Sequence, residues 1–181
     1  MKDIGSLKSE MQAGTFGGII SIISSSISGT YIMPGIISAH RKTSGGNYYK
    51  LEIGNSREAI EKIKQGEVDC AITGREIKHP SLSYNEIFND EILLVTAPGE
   101  KTKITIDELK HIPLVTRETG SGTKNVVEAA LLELGIQPSE LNIAMECTTS
   151  EGLREAVISG NGYAFISSLA VDRDIKLGKI K

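Results

Sequence analysis

The stretch Gly18–Ser28, which reads GIISIISSSIS, shows the pattern that the rest of the chain repeats. Its run Ile19–Ile23 is apolar and β-branched, which predicts a short buried strand. A serine-rich turn at residues 24–28 follows, and the next residues predict a helix from about Gly29 to Arg41. Pro34 falls near the first turn of that helix, where a missing N–H is tolerated. The stretch therefore predicts a strand, a small polar turn and a helix in that order.

The same alternation continues along the chain. Further strands are predicted at Tyr48–Ile53, Val68–Thr73, Glu91–Thr96, Pro113–Thr116, Asn142–Glu146 and Tyr163–Ile166. Further helices are predicted after Asn55–Ser56, at Asp107–Lys110, at Lys124–Leu134 and at Ser150–Ser159. Strands and helices that alternate with short links are typical of an α/β fold with mainly parallel sheets. A break at Ala97–Lys103 predicts a crossing into a second α/β lobe.

The composition excludes several classes of protein. The 181 residues carry 20 Lys plus Arg and 23 Asp plus Glu, so the net charge is 20 − 23 = −3. An acidic chain with 4% aromatic residues and no Trp is not expected to bind nucleic acid by itself. The longest apolar stretch, Gly17–Ile23, is far shorter than the ~20 residues that span a bilayer. We therefore expect a cytoplasmic protein with no membrane contact.

Polar turns recur where a predicted strand meets a predicted helix. They lie at residues 24–28, Asn55–Ser56, Ser121–Thr123 and Thr148–Ser150. Helix N-termini at the carboxyl ends of parallel strands offer unpaired N–H groups and partial positive charge. Several of them together would bind a small anion, although each turn alone is also explained as an ordinary helix cap. Arg75 and Arg117 are the candidate cations, and a surface ion pair is the alternative for both.

Catalytic and metal-binding signals are weak. The chain lacks a G-x-G-x-x-G fingerprint, a phosphate-loop spacing and a G-x-S-x-G nucleophile elbow. Its two cysteines, Cys70 and Cys147, form no zinc pattern, and Cys70 is predicted to be a buried, inert thiol. None of the three histidines stands beside a nucleophile. We therefore predict no enzyme, no cofactor and no metal.

The segments considered together resemble the effector-binding domain of LysR-type transcriptional regulators over roughly residues 14–180. Arg117–Lys124, which reads RETGSGTK, is the most telling segment. The order and spacing of the others add to it: IISS through YIMP at residues 22–34, GNS at 54–56, GEVDCAI at 66–72, EILLV at 91–95, EGLREAV at 151–157 and GNGYAFIS at 160–167. Ile27 departs from the family pattern, which often has Thr there.

The resemblance implies two Rossmann-like lobes of the type 2 periplasmic binding protein architecture. Lobe I would comprise residues 14–96 and 168–181, and lobe II residues 97–167. Residues 1–13 would be a linker or a remnant of cloning. A small effector would bind between the lobes at the polar turns. The predicted ligand-binding residues are Ser24, Ser25, Ser26, Asn55, Ser56, Arg75, Ser121, Gly122, Thr123, Thr149, Ser150 and Ser167.

The resemblance also implies partners. The effector would be a sulfur compound, a carboxylate or a phosphate-like anion. A homodimer is expected through lobe I, and Ile32, Ile36 and Ile37 would either contribute to that contact or simply face the sheet. DNA binding is expected only through an N-terminal helix-turn-helix that residues 1–181 do not include, and the family usually continues by about one strand and one helix after Lys181.

Two other functions remain open at this level. A solute-binding protein of a transporter would use the same cleft for its ligand. An enzyme on this architecture would have only Ser121 or Arg75 as plausible catalytic residues, with no general base beside them.

Overall fold

In the computed structural model, which describes residues 17–44, 46–74 and 79–181, strand β1 (Gly18–Ser25) is the middle strand of a three-stranded sheet. Strands β2 (Asn47–Gly54) and β3 (Cys70–Ile72) flank it, and both run parallel to it. Ser25 pairs with Gly54, and Ser24 pairs with Ile72. The carboxyl ends of the three strands therefore meet at one edge, as the sequence predicts for a parallel sheet.

The helix after β1 begins with a π-helical segment, Ser28–Ile32, and continues as α1 (Met33–Thr43). The Met33 N–H donates to the carbonyl of Ser28, five residues back. This wider turn directly precedes Pro34, whose ring crowds the preceding turn in a regular α-helix. The helical region thus starts slightly earlier than predicted, and Pro34 lies in the first turn of α1 as predicted.

Helix α2 (Ser56–Lys64) follows β2 through a capping box. The Asn55 side chain accepts from the Glu58 N–H, and the Glu58 carboxylate accepts from the Asn55 N–H. Ala59 and Ile60 are buried against the sheet, so this helix covers the central strand.

The second part of the chain repeats the alternation with seven elements before its last helix. They are β4 (Ile92–Val95), α3 (Ile106–Leu109), β5 (Leu114–Arg117), α4 (Gly122–Glu133), β6 (Ile143–Cys147), α5 (Ser150–Ile158) and β7 (Ala164–Ser167). A 3₁₀ turn at Pro138–Glu140 and a last helix, α6 (Ser168–Lys176), complete it. The sequence pattern does not predict α6.

Strands β5 and β6 are parallel, whereas β4 and β7 are antiparallel. A single parallel bridge between Leu114 and Tyr163 links β5 to the start of β7. Gly162 has a φ of +132°, and a Cβ there would lie 2.3 Å from the carbonyl oxygen of Pro113. Only glycine therefore permits this close approach of the two chain segments.

The core of this part is formed by Leu109, Leu114, Leu131, Ile136 and Tyr163. Helix α4 contributes Leu131, with Val127 packed beside it. The spacing of the apolar residues in this helix predicts that Val126 and Leu134 face inward. This prediction is wrong, because these side chains are 45% and 58% exposed. Residues four apart on one face, rather than all the apolar residues of this helix, pack on the strands.

The chain divides into two units, residues 1–73 and 74–181. This division differs from the predicted lobes, because residues 74–96 and 168–181 fall in the second unit. Strand β4 pairs with β7 along its length, and Thr96 exchanges two backbone hydrogen bonds with Lys181. The lobe boundaries at residues 96 and 168 remain a prediction.

Two further observations concern the earlier expectations. Across residues 17–44, 46–74 and 79–181, we find no helix with the length and apolar character that crossing a membrane requires. Cys70 is exposed, so the prediction of a buried thiol at this position is wrong. Cys70 begins the short strand β3, and Cys147 is the buried cysteine.

Candidate functional site

The first unit collects hydroxyl groups at the carboxyl edge of its sheet. We call this set the serine edge and define it as Ser24, Ser25, Ser26, Ser28, Asn55 and Ser56. The Ser25 and Ser28 hydroxyl oxygens lie 2.9 Å apart and share a hydrogen bond. The Ser26 hydroxyl donates to the carbonyl of Gly54 at 3.4 Å, which joins the end of β1 to the end of β2.

Burial separates the members of the serine edge. Ser24 and Ser56 are fully buried, whereas Ser26 and Asn55 are half-buried. Gly29 allows the helix to approach closely, because a Cβ there would lie 2.9 Å from Ile53 and 3.2 Å from the Ser24 side chain. Hydroxyls reorient between donor and acceptor roles, so this edge offers an uncharged polar surface.

The second unit places two turns at one edge of its sheet. We call residues 120–123 and 148–150 together the two-turn site. Arg117, at the end of β5, pairs in register with Cys147, at the end of β6. The turn that follows β5 therefore lies beside the turn that follows β6, as expected for parallel strands.

Each of these turns caps a helix. The Ser121 hydroxyl accepts from the Lys124 N–H at the start of α4, and the Thr149 hydroxyl accepts from the Gly152 N–H at the start of α5. The sequence spacing predicts a capping box between Thr148 and Glu151, and that prediction is wrong. Thr149 has the extended backbone of an N-cap residue, so the cap lies one residue later.

Arg117 lies between the two turns and is only 4% exposed. Its guanidinium binds both carboxylate oxygens of Glu118, at 2.8 and 3.2 Å. It also donates to the Ser150 hydroxyl at 2.5 Å and to the carbonyl of Thr148 at 3.2 Å. A planar group with this many directed donors holds one turn at a set position against the other.

For Arg117 the favoured prediction from the sequence is a surface ion pair. Arg117 is not among the predicted ligand-binding residues. The structure contains the pair with Glu118, but the pair is buried, so the expectation of a surface location is wrong. One signal in the sequence indicates a buried arginine beside the turns: Arg117 ends a buried strand and comes shortly before a glycine-rich turn. Its contact with Ser150, 33 residues later, depends on the pairing of β5 with β6.

Several groups of the two-turn site remain available to a ligand. The N–H groups of Gly122 and Thr123 belong to the first turn of α4, where no intrahelical acceptor exists. The Thr123 hydroxyl is half-buried and makes no hydrogen bond within the described part of the chain. Helices α4 and α5 both direct their N-termini, which carry partial positive charge, toward this edge. Gly120, with a φ of +103°, permits the turn that exposes these groups.

The remaining predicted residues have different surroundings. Ser167 is fully buried, donates to Asp90 at 2.8 Å and accepts from the Leu169 N–H at 3.2 Å. Strand β7 runs parallel to β5, so Ser167 ends at the same edge as Arg117, with its hydroxyl already used. Arg75 lies outside the described residues.

One buried thiol, that of Cys147, lies beside Arg117 at this edge. Burial raises the pKa of the Cys147 thiol, and the nearby Arg117 lowers it less than burial raises it. A protonated thiol is a poor nucleophile. Among the residues with a described position, no group of three or more His, Cys, Asp or Glu side chains could hold a metal ion.

Two α/β units, each with polar turns at the carboxyl ends of parallel strands, define a ligand-binding domain. The LysR substrate-binding domain model matches residues 13–181. The chain therefore belongs to the LysR substrate-binding domain family.

The chain is also similar to curated proteins of different names. The chain is 32% identical over 168 residues to the phosphonates import ATP-binding protein PhnC of Anaeromyxobacter dehalogenans, covering 91% of this chain and 34% of that protein. It is 26% identical over 181 residues to a probable RuBisCO transcriptional regulator of Trieres chinensis, covering 95% of this chain and 58% of the regulator. The chain thus spans between a third and three-fifths of these relatives.

Solved structures share the fold. The Synechocystis PCC6803 CcmR regulatory domain, solved in complex with 2-PG, has a TM-score of 0.79 and 17% sequence identity. The match covers 91% of this chain and 79% of that one. The predicted α/β fold of the type 2 periplasmic binding protein class, with mainly parallel sheets, is confirmed.

Proposed function

We propose that this chain senses a small anion on behalf of a LysR-type transcriptional regulator, and that the anion binds at the two-turn site. The observation that carries this proposal is the buried Arg117, which holds the two helix starts side by side. Its own charge is compensated by Glu118, so the ligand's charge is met by helix N-termini and N–H groups. We also propose that the hydroxyls of the serine edge bind polar atoms of a small ligand.

The class of anion follows from these donors. Backbone N–H groups and a threonine hydroxyl suit a compact oxyanion: a phosphate-like group, a sulfur oxyanion or a carboxylate. The CcmR regulatory domain named above was solved with 2-PG, which favours testing 2-PG first, with methylphosphonate as a second compact oxyanion. Sulfate, thiosulfate, phosphate, O-acetylserine and short carboxylates complete the panel.

The panel is best measured as thermal stabilisation of the full 181-residue chain, followed by calorimetry on any anion that stabilises it. A ligand present at one hundred times its dissociation constant stabilises the folded state by about 2.7 kcal/mol. Failure of every anion at millimolar concentration would remove the proposed site. Two compounds without net charge serve as controls: phenylalanine, which is a zwitterion, and glucose, which carries no charged group.

Thr123→Val tests the site residue by residue. The substitution keeps the shape of the side chain and removes a hydroxyl that is not used for capping. We expect the affinity for the bound anion to fall by about 1–3 kcal/mol, because one polar contact of the anion is lost. Thr102→Val is the matched control, since Thr102 is an exposed loop residue of the same unit. Equal affinity of the two variants and the unmodified chain would reduce the turn to a helix cap.

We further propose that the regulator is cytoplasmic and that its DNA contact lies in a helix-turn-helix outside these residues. An upstream coding segment for such a motif would favour the regulator over the solute-binding protein of a transporter. We also propose that the domain has no enzymatic activity. Turnover of any ligand by the chain would contradict this, and its survival in Ser121→Ala would exclude that serine as the nucleophile.

A homodimer is proposed through helix α1. Pro34, Gly35 and Ile36 are exposed on this helix, and Ile36 retains 44% of its accessible surface. Ile36→Glu is expected to shift the chain toward monomer in sedimentation experiments, because it places a charge in an apolar contact. Ser38→Glu, two residues along the same helix, is the control. A dimer that withstands Ile36→Glu would point to another surface.

A further inference from the structure

A cavity of about 150 Å³ lies in the second unit beneath helix α4. Its apolar wall comes from four elements: Val127 and Leu131 of α4, Leu114 of β5, Ile143 of β6 and Phe165 of β7. Concave spaces with a mainly apolar lining and a few polar groups are the usual sites of small ligands. An apolar space of this volume can hold a benzene-sized molecule.

The cavity is accessible from solvent along strand β6. Ile143, which forms part of the wall, retains 45% of its accessible surface. A small molecule therefore has a route into the space without unfolding of α4.

The charges around the cavity do not favour an anionic ligand. Arg117 borders the space and is compensated by Glu118, and Lys124 is compensated by Glu146 at 3.3 Å. Glu128 also borders it and has no partner within the described part of the chain. A carboxylate in the cavity would therefore face the uncompensated charge of Glu128.

We propose that this cavity is a second ligand site, which binds a small apolar molecule without a negative charge, up to about the size of toluene. The site differs in chemistry from the two-turn site, where N–H groups and helix N-termini favour anions. The two sites are neighbours, because Arg117 and Thr123 border the cavity. Thr123 belongs to one of the two turns, and Arg117 supports both. An apolar occupant would lie against the residues that shape the anion site.

The experiment measures toluene binding to the full 181-residue chain by thermal shift and by NMR. We expect saturable stabilisation by toluene, with benzoate at least tenfold weaker. Val127→Phe places a ring in the cavity and is expected to abolish the effect of toluene. Val126→Phe is the matched control, since Val126 is the adjacent residue, does not line the cavity and is 45% exposed.

Several results would overturn the proposal. They are absence of saturable binding, equal binding of benzoate and toluene, or retention of binding by Val127→Phe. If Val127→Phe does not fold, intermolecular NOEs from toluene to the Val127 methyl groups of the unmodified chain decide the matter, and their absence excludes this location. The readout uses no anion, so failure of the anion panel leaves this result interpretable.

Discussion

The serine edge and the two-turn site occupy equivalent positions in their units, yet they are built on different chemistry. Both lie where parallel strands end and helices begin. The serine edge has no ionised side chain, and its hydroxyls bind one another and nearby carbonyls. The two-turn site is organised by a buried ion pair whose arginine reaches both turns.

The difference shows two ways to prepare a polar surface for a ligand. Hydroxyls that pair with each other can exchange partners at little cost when a ligand arrives. A buried guanidinium cannot do so, because leaving its charge unpaired costs several kcal/mol. We therefore interpret the serine edge as the adaptable region and the two-turn site as the preorganised one.

Arg117→Met is the strongest way to break this comparison. It leaves the Glu118 carboxylate buried without its cation and removes a donor from Ser150. Breaking a buried pair in this way costs about 3–5 kcal/mol, and we expect that loss in the unfolding free energy from urea titration followed by circular dichroism. Anion binding at the two-turn site should also be lost.

Lys110→Met supplies the control for that experiment. Lys110 pairs with Glu140 at 2.8 Å, but its side chain is 29% exposed. Exposed pairs contribute about 0–1 kcal/mol, so this variant should remain close to the unmodified chain. Similar losses in the two variants would mean that Arg117 is not the organiser of its region. The double variant Arg117→Met with Glu118→Leu should recover part of the loss, since no buried charge is left unpaired.

Asn55→Ala tests the serine edge, with a smaller expected effect. It removes the side-chain acceptor for the Glu58 N–H at the start of α2. Loss of an N-cap costs about 1 kcal/mol, which urea titration can measure. Asn55→Asp retains an acceptor at the helix start and should keep most of the stability. Equal destabilisation by both substitutions would show that Asn55 contributes to stability through its amide group and not through the helix cap.

Local patterns predicted much of this fold. The β-branched run Ile19–Ile23 lies within β1. The spacing of Thr105 and Glu108 predicts a capping box, and that box is present at α3. The spacing of Leu153, Ala156 and Val157 predicts one buried helix face, and all three residues are buried in α5. These features depend on interactions between residues that are close in sequence, so the sequence pattern predicts them.

The errors have physical causes that the sequence does not show. Helix α4 carries apolar residues on several sides, so its periodicity selects no single buried face, and Val126 and Leu134 were misassigned. The burial of Arg117 depends on β6, which brings Ser150 to it from 33 residues away. The predicted ligand-binding residues were reached by family resemblance and turn chemistry, and they await the anion panel.

The smallest expected effect concerns pH and compares one capping box from each unit. In the Thr105–Glu108 box of the second unit a lysine binds the glutamate, through the Lys101–Glu108 ion pair, whereas Glu58 of the Asn55–Glu58 box has no ion pair within the described residues. The hydrogen bond from Lys101, followed by that from the Thr105 N–H, lowers the pKa of Glu108 from 4.5 to about 2. A lowered pKa in the folded state stabilises it above pH 4.5, and this stabilisation is lost as the pH falls toward 2.

Lys101→Met is therefore expected to raise the pKa of Glu108 toward 4.5, as measured by NMR titration of its side-chain carboxyl carbon. The variant should lose stability relative to the unmodified chain at neutral pH, and this difference should shrink as the pH falls toward 2, where about half of the Glu108 carboxylate of the unmodified chain is protonated. Lys103→Met, two residues along the same exposed loop, is the control and should leave the titration unchanged. Because Glu108 is exposed, salt should weaken the shift, whereas the buried Arg117 pair should respond little to salt. A Glu108 that titrates near 4.5 in the unmodified chain would remove this difference between the two boxes and leave the buried ion pair as the feature that distinguishes the units.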